Sequence, residues 1–265
     1  MIDAILGPAP ERLATVFVLV LARTMPLAFV APWLGWKGTA SFVRVGVGLV
    51  LGAALTPIAA ASAPEVLPAP WLALGLAALT EALIGAGFAV AVSAPLYAMG
   101  WTGELIDRWR GSPADATAIG PAGGSSPLGT LHLAAAVVAF VLLGGHRLAL
   151  AAFAEGLVHV PAGAASTASD LGAFALGSAQ VVGHALNLAL AFLAPAAVSF
   201  VVLEIMLGLW GRATPTLKAW MEAMPLRAAL GVAVALLSLS ALLPRLGPVF
   251  RTGIDSATDL LHTLW

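Results

Sequence analysis

The 265-residue chain has no cysteine, so a disulfide framework, a thiolate metal site and a thiol nucleophile are all excluded. Charge is scarce as well: only 9% of residues are Asp, Glu, Lys or Arg, against about 25% in soluble domains. With so few ionic side chains a globule of this size cannot cover its surface for water. Disorder is excluded by the opposite property, since it requires low hydrophobicity and high charge. The formal net charge of −1 offers no basic field for nucleic acid. What the chain has is apolar mass, 60% hydrophobic residues and a mean hydropathy of +0.99. The expected class is an all-α integral membrane protein forming one membrane domain over residues 1–265.

Six stretches carry enough apolar residues to cross about 30 Å of hydrocarbon: Leu13–Leu34, Phe42–Ala63, Trp71–Met99, Leu128–Val158, Val181–Trp210 and Leu226–Leu243. The period-two alternation of a membrane barrel is missing. Trp71–Met99 is 29 residues and as a helix would run about 43 Å. Excess length there calls for tilt, a kink at Pro95, or exit from the bilayer. Gly144-Gly145 is expected to break Leu128–Val158. Before the first stretch stand Asp3, Glu11 and a single Arg12, and Arg23 interrupts the apolar run. A cleavable signal is therefore not expected.

If the spans alternate, the odd connections carry or adjoin Lys37, Arg44, Arg108, Arg110, Arg212, Lys218 and Arg227. The opposite side has Arg12, Arg245 and Arg251. The positive-inside rule places the odd connections in the cytoplasm and both termini outside.

Chemical motifs are missing. The five histidines are never three to five apart, neither lysine follows a phosphate-binding glycine loop, and no GxSxG elbow occurs. No catalytic, cofactor-binding or metal-binding residue is expected, and no cofactor. Gly48 and Gly52 lie inside a span and are expected to form a close helix-packing face. Charges within spans, Arg23, Glu81, Arg147, Glu155 and Glu204, fit two arrangements. Glu81 and Glu204 could line a proton or ion path in a small-solute or ion transporter. Alternatively the charges pair with one another or with partner subunits, which their scattered spacing favours.

The third connection is the main irregularity. Gly100–Arg110 is amphipathic, with Trp101, Leu105 and Trp109 on one face and Glu104, Asp107 and Arg108 on the other. The spacing predicts an interfacial helix. Then Gly111–Gly129 contains five Gly, three Pro and three Ser among 19 residues, a composition that cannot hold a regular helix. Such backbone is either a solvated linker or, at membrane depth, sheltered in protein or lining a passage. Small uncharged residues suit a segment that packs a passage shut and parts again.

The order of features from Ala22 to Leu243 resembles the FliR/SpaR/SctT family of type III secretion export-gate proteins. The resemblance is carried by Arg23, Pro32-Trp-Leu-Gly35, Arg44, Leu55-Thr-Pro57, Glu81-Ala-Leu-Ile-Gly85 and Gly103-Glu-Leu-Ile-Asp107. It continues at Arg110-Gly111, Pro121, Ser126-Pro127-Leu128-Gly129, Gly144-Gly145-His146, Pro161, Pro195 and Gly208. Arg212-Ala-Thr-Pro215 and Met224-Pro225-Leu226 complete it. Trp109, Gly120 and Gly156-Leu157 depart from the family's usual residues.

The resemblance implies a subunit, not an enzyme, of a protein-conducting assembly in the bacterial inner membrane. Its partners would be FliP/SctR-like, FliQ/SctS-like and FlhB/SctU-like membrane subunits, and its cargo unfolded exported proteins. About residues 1–175 would form a FliP-like part and 176–265 a FliQ-like helical hairpin with a C-terminal tail. Residues 111–129 would be the gate or plug loop, with Gly111, Pro113, Gly120, Pro121, Gly123, Gly124, Pro127 and Gly129 its shaping residues. Arg23, Glu81, Asp107, Glu204 and Arg212 would serve packing and subunit contacts. Glu104-Leu-Ile-Asp107 with Ser126-Pro127-Leu128-Gly129 looks like the injectisome branch and Gly145-His146 like the flagellar one, so both branches stay open.

Overall fold

The computed structural model describes residues 10–36, 38–68, 71–111, 126–164, 168–213 and 219–264, without side-chain detail at 168–169 and 219–224. Among the described residues every regular element is helical. In chain order these are α1 (Pro10–Val30), α2 (Ser41–Ser62), α3 (Trp71–Trp109), α4 (Pro127–Leu142) and α5 (Gly145–His159). There follow α6 (Ala168–Ala213), α7 (Ala219–Leu242), a 3-10 turn (Leu243–Arg245) and α8 (Leu246–His262). Among the described residues five stretches are long and apolar enough to cross a membrane: α1, α2, α3, most of α6, and the run from Pro225 to His262. The broken pair α4–α5 makes a sixth if it is one span. The protein is an all-α membrane protein.

The break falls at the glycine pair. Gly144 has φ +75°, a left-handed conformation that a residue with Cβ adopts only under strain, and α5 begins at the next residue.

Two helices outrun their apolar stretches. The interfacial helix expected after Met99 is no separate element: α3 continues without interruption for 39 residues, Pro95 included. Its length is about 59 Å at 1.5 Å per residue, nearly twice the hydrocarbon thickness. Helical hydrogen bonding does not stop where hydropathy falls, so Glu104 and Arg108 end the apolar run but not the helix. The packing face differs too. Thr102, Gly103, Ile106 and Asp107 are buried while Trp109 is 41% exposed. Asp107 therefore belongs to the inner face, not to the outer polar one. Likewise α6 runs 46 residues, beginning well before Val181, because Gly172, Gly177, Ser178 and Gln180 lower hydropathy without preventing a helix.

The chain divides into two compact units. One comprises Met1–Ala94, Gly144–Gly183 and Phe250–Trp265; the other comprises Pro95–Leu143 and His184–Val249. In the first, α1 buries Val16, Leu19, Val20 and Leu27. Gly48 and Gly52 of α2 are buried as expected, so close to α1 that a Cβ at Gly48 would stand 2.8 Å from the Met25 sulfur. Phe88 and Phe153 meet edge to face with ring centroids 5.1 Å apart. In the second unit the core gathers Ile106, Leu128, Leu193, Ala196, Phe200, Leu203, Val234 and Ala235.

The C-terminal tail holds a helix that hydropathy alone did not reveal. In α8, Leu246, Phe250, Ile254, Ala257, Leu261 and Leu264 (the last just beyond its end) are buried, a spacing of three and four that marks one helical face. Arg251, Asp255 and Asp259 on the outer side are exposed and dilute the average that a spanning helix requires.

Candidate functional site at the third connection

The two ends of the third connection meet in the second unit. At one end, α3 closes with Gly111, whose φ of +74° turns the chain away from the helix; its amide donates to the Arg108 carbonyl at 3.2 Å. At the other end Ser126 is the N-cap of α4 and Pro127 its first residue. This is a favoured start, because the serine oxygen accepts an orphan amide and proline lacks one. The Gly129 amide donates to Ser126 Oγ at 2.9 Å.

Asp107 joins the ends. Its side chain is fully buried and accepts from three donors: Arg110 Nε, the Ser126 hydroxyl and the Leu128 amide, the last at 2.8 Å. A carboxylate accepts through both oxygens, so it can serve all three together. Its negative charge faces Arg110 and the positive end of the α4 dipole. Burial is thereby compensated on two sides.

Backbone approach explains the small residues nearby. A Cβ on Gly103 would collide with the Leu128 backbone, and one on Gly129 would meet the Gly100 carbonyl oxygen at 3.1 Å. The Arg110 stem lies where a side chain at Gly231 of α7 would be, 2.7 Å from its ideal Cβ position. Thus α3 and α4 meet at one carboxylate, and α7 packs against the stem of its arginine partner. His132, a turn into α4, donates from Nδ1 to the Leu128 carbonyl at 2.8 Å.

Of the residues expected in the gate loop, Gly111, Pro127 and Gly129 stand at this junction. Pro113, Gly120, Pro121, Gly123 and Gly124 lie outside the described residues. Ser126, Arg110 and Gly103 belong to the junction although none was singled out for it. The Ser-Pro pair at the start of an apolar run was the available signal.

Several of the remaining charges pair. Arg23 and Glu81 are both buried in the first unit, with Nε 2.5 Å from Oε2. Arg23 also donates to the Val160 carbonyl at 2.8 Å, and the Gly163 amide donates to Glu81 Oε1 at 2.8 Å. Glu204, in the second unit, is 52% exposed and accepts from Arg227 at 2.8 Å. It lines an open, mostly apolar cleft of about 300 Å³ with Trp109, Ala197, Phe200, Val201 and Ile205. Arg212 is exposed near the end of α6. Glu155 and His159 are 3.7 Å apart on the outside of α5. Among the described residues no group of three or more His, Asp or Glu side chains could hold a metal ion.

The chain is similar to known proteins both as a family and in an individual relative. The model of the family described as bacterial export proteins, family 1, matches residues 14–253. The flagellar biosynthetic protein FliR of Caulobacter vibrioides is 26% identical over 226 residues, covering 85% of this chain and 88% of that protein.

Proposed function

Because the chain belongs to bacterial export proteins, family 1, we propose that it is a FliR-like subunit of a type III export apparatus. In this role it lines and gates the path by which unfolded proteins cross the bacterial inner membrane. The observation that carries the proposal is the family match over residues 14–253. The junction at Asp107 supports the gating part. It ties Arg110 to Ser126 and Leu128, on the two flanks of a sequence rich in glycine and proline.

The chain's contribution is structural. About residues 1–175 form the FliP-like part and 176–265 the FliQ-like hairpin with its tail. FliP-like, FliQ-like and FlhB-like subunits are the partners, and lipid-like faces on α6 and α7 suit them: Leu190, Val198, Ile205, Met206, Leu209 and Leu237 are all exposed. Such an assembly gives helices as long as α3 and α6 protein neighbours beyond the bilayer. Arg23 and Glu81 serve packing within the chain, and Glu204 and Arg212 lie where subunits can meet them.

A transporter working through Glu81 and Glu204 gains no support from the geometry. Both Glu81 oxygens are engaged, by Arg23 and by the Gly163 amide, and Glu204 pairs with Arg227. Purification from native membranes tests the choice. An export subunit co-purifies with two small hydrophobic partners and moves no solute when reconstituted alone. Solute or proton transport by the isolated chain, lost on Glu81→Gln, would overturn it.

A further inference from the structure

The tail helix α8 meets the first unit at two glycines. Its residues from Phe250 onward belong to that unit. A Cβ at Gly156 of α5 would collide with Leu261, and one at Gly177 of α6 would collide with Leu260. Two adjacent leucines thus fill the space that side chains on two other helices would take. At the end of α8 the His262 ring lies 6.0 Å from the His159 ring of α5. Gly156 is engaged by its carbonyl as well. Arg23, paired with Glu81, donates from Nη1 to the Gly156 and Val160 carbonyls at 3.5 and 2.8 Å. We propose that α8 is a strap, standing in water, that presses on the last turn of α5 and holds these carbonyls where Arg23 meets them. Leu261 is its positioning residue.

The strap is neither a membrane span nor a helix lying in the lipid interface. Phe250, Ile254, Ala257, Leu260 and Leu261 are buried against the chain itself, so the face an interfacial helix gives to lipid is already used. Arg251, Asp255 and Asp259 are exposed, and their steps of four make one row along the opposite side. Arginine can stretch toward the headgroups, but an aspartate is too short to do so. An ionised group left in hydrocarbon is costly. The apolar run from Pro225 to His262 therefore leaves the bilayer before these aspartates.

The end of α5 calls for such support. Carbonyls of a helix's last turn have no partner within the helix, and Val160 is the C-cap of α5. Arg23 supplies the partner, but its guanidinium is buried, and a buried donor that loses its acceptor is left unsatisfied. Gly156 has no side chain with which to pack its turn in place. Leu261 does that from the neighbouring helix.

The test uses the full chain in its native-membrane complex. The chain has no cysteine, so single cysteines report on α8 without background from it. Asp255→Cys and Asp259→Cys are expected to react with a water-soluble maleimide given access to both membrane faces. Ile254→Cys and Ala257→Cys should react at least tenfold more slowly. An unreactive cysteine at both outer positions would overturn the placement in water and the strap with it. Leu261→Ala is expected to speed hydrogen exchange of peptides covering residues 157–163 at least fivefold and leave residues 46–52 unchanged. Leu261→Met should stay near wild type. Gly156→Ala should also speed exchange, and adding it to Leu261→Ala should make matters no worse, whereas independent sites would add. Wild-type exchange at 157–163 in Leu261→Ala would overturn the proposal. So would equal acceleration across the whole unit, or additive effects in the double variant. If Leu261→Ala does not accumulate in the membrane, Leu261→Val is read by the same criteria.

Discussion

Glu81 and Asp107 are both buried carboxylates on α3, and each meets one arginine and one backbone amide, but they connect different distances of chain. Glu81 reaches Arg23 across 58 residues and Gly163 across 82. Asp107 reaches no further than 21 residues among these partners. The first therefore fastens α1, α3 and the segment after α5 within one unit, while the second fastens the two ends of a single connection in the other. Similar chemistry sets the fold in one place and a local geometry in the other. Disturbing Glu81's node should be felt throughout its unit; disturbing Asp107's should be felt at its connection.

The largest effect is expected from Arg23→Leu. It leaves Glu81 buried without its cation, a change that costs about 3–5 kcal/mol, read as lost assembly and a lower melting temperature in detergent. Removing both charges as Arg23→Leu with Glu81→Leu should recover a large share of that loss; a double variant no better than the single would break the contrast. Asp107→Asn should cost less, about 1–3 kcal/mol, with no loosening of α1 in hydrogen exchange. Gly85→Ala sharpens the picture of the first unit, since its Cβ would run into the Arg23 backbone and overpacking costs about 1–3 kcal/mol. Gly75→Ala on the same helix meets open space and should stabilise by about 0.5–1 kcal/mol. Smallest is Glu204→Gln: the exposed pair with Arg227 contributes about 0–1 kcal/mol, so the melting temperature of the chain should barely move.

Much of this was legible before any coordinates. Apolar runs marked the membrane helices because lipid demands them, Gly144-Gly145 marked the break, and Gly48 with Gly52 marked a packing face. The limits of α3 and α6 were not legible, because hydropathy reports what lipid tolerates and says nothing of a helix that continues beyond it. The tail helix α8 escaped for the converse reason: its buried stripe is periodic, but its outer charges lower the mean. At the candidate site the loop was visible through Gly111, Pro127 and Gly129. The role of Asp107 was not, since its place on a three-turn amphipathic pattern put it on the face opposite the tryptophans. Only the arrival of α4's first turn beside Gly103 shows why a carboxylate is buried there.

The proposed gating role is tested most directly by the ion conductance of membranes carrying the fully assembled complex with residues 112–125 removed. The account predicts a conductance well above that of the intact complex, with subunit content unchanged. Conductance at the intact level in a complete assembly would contradict it.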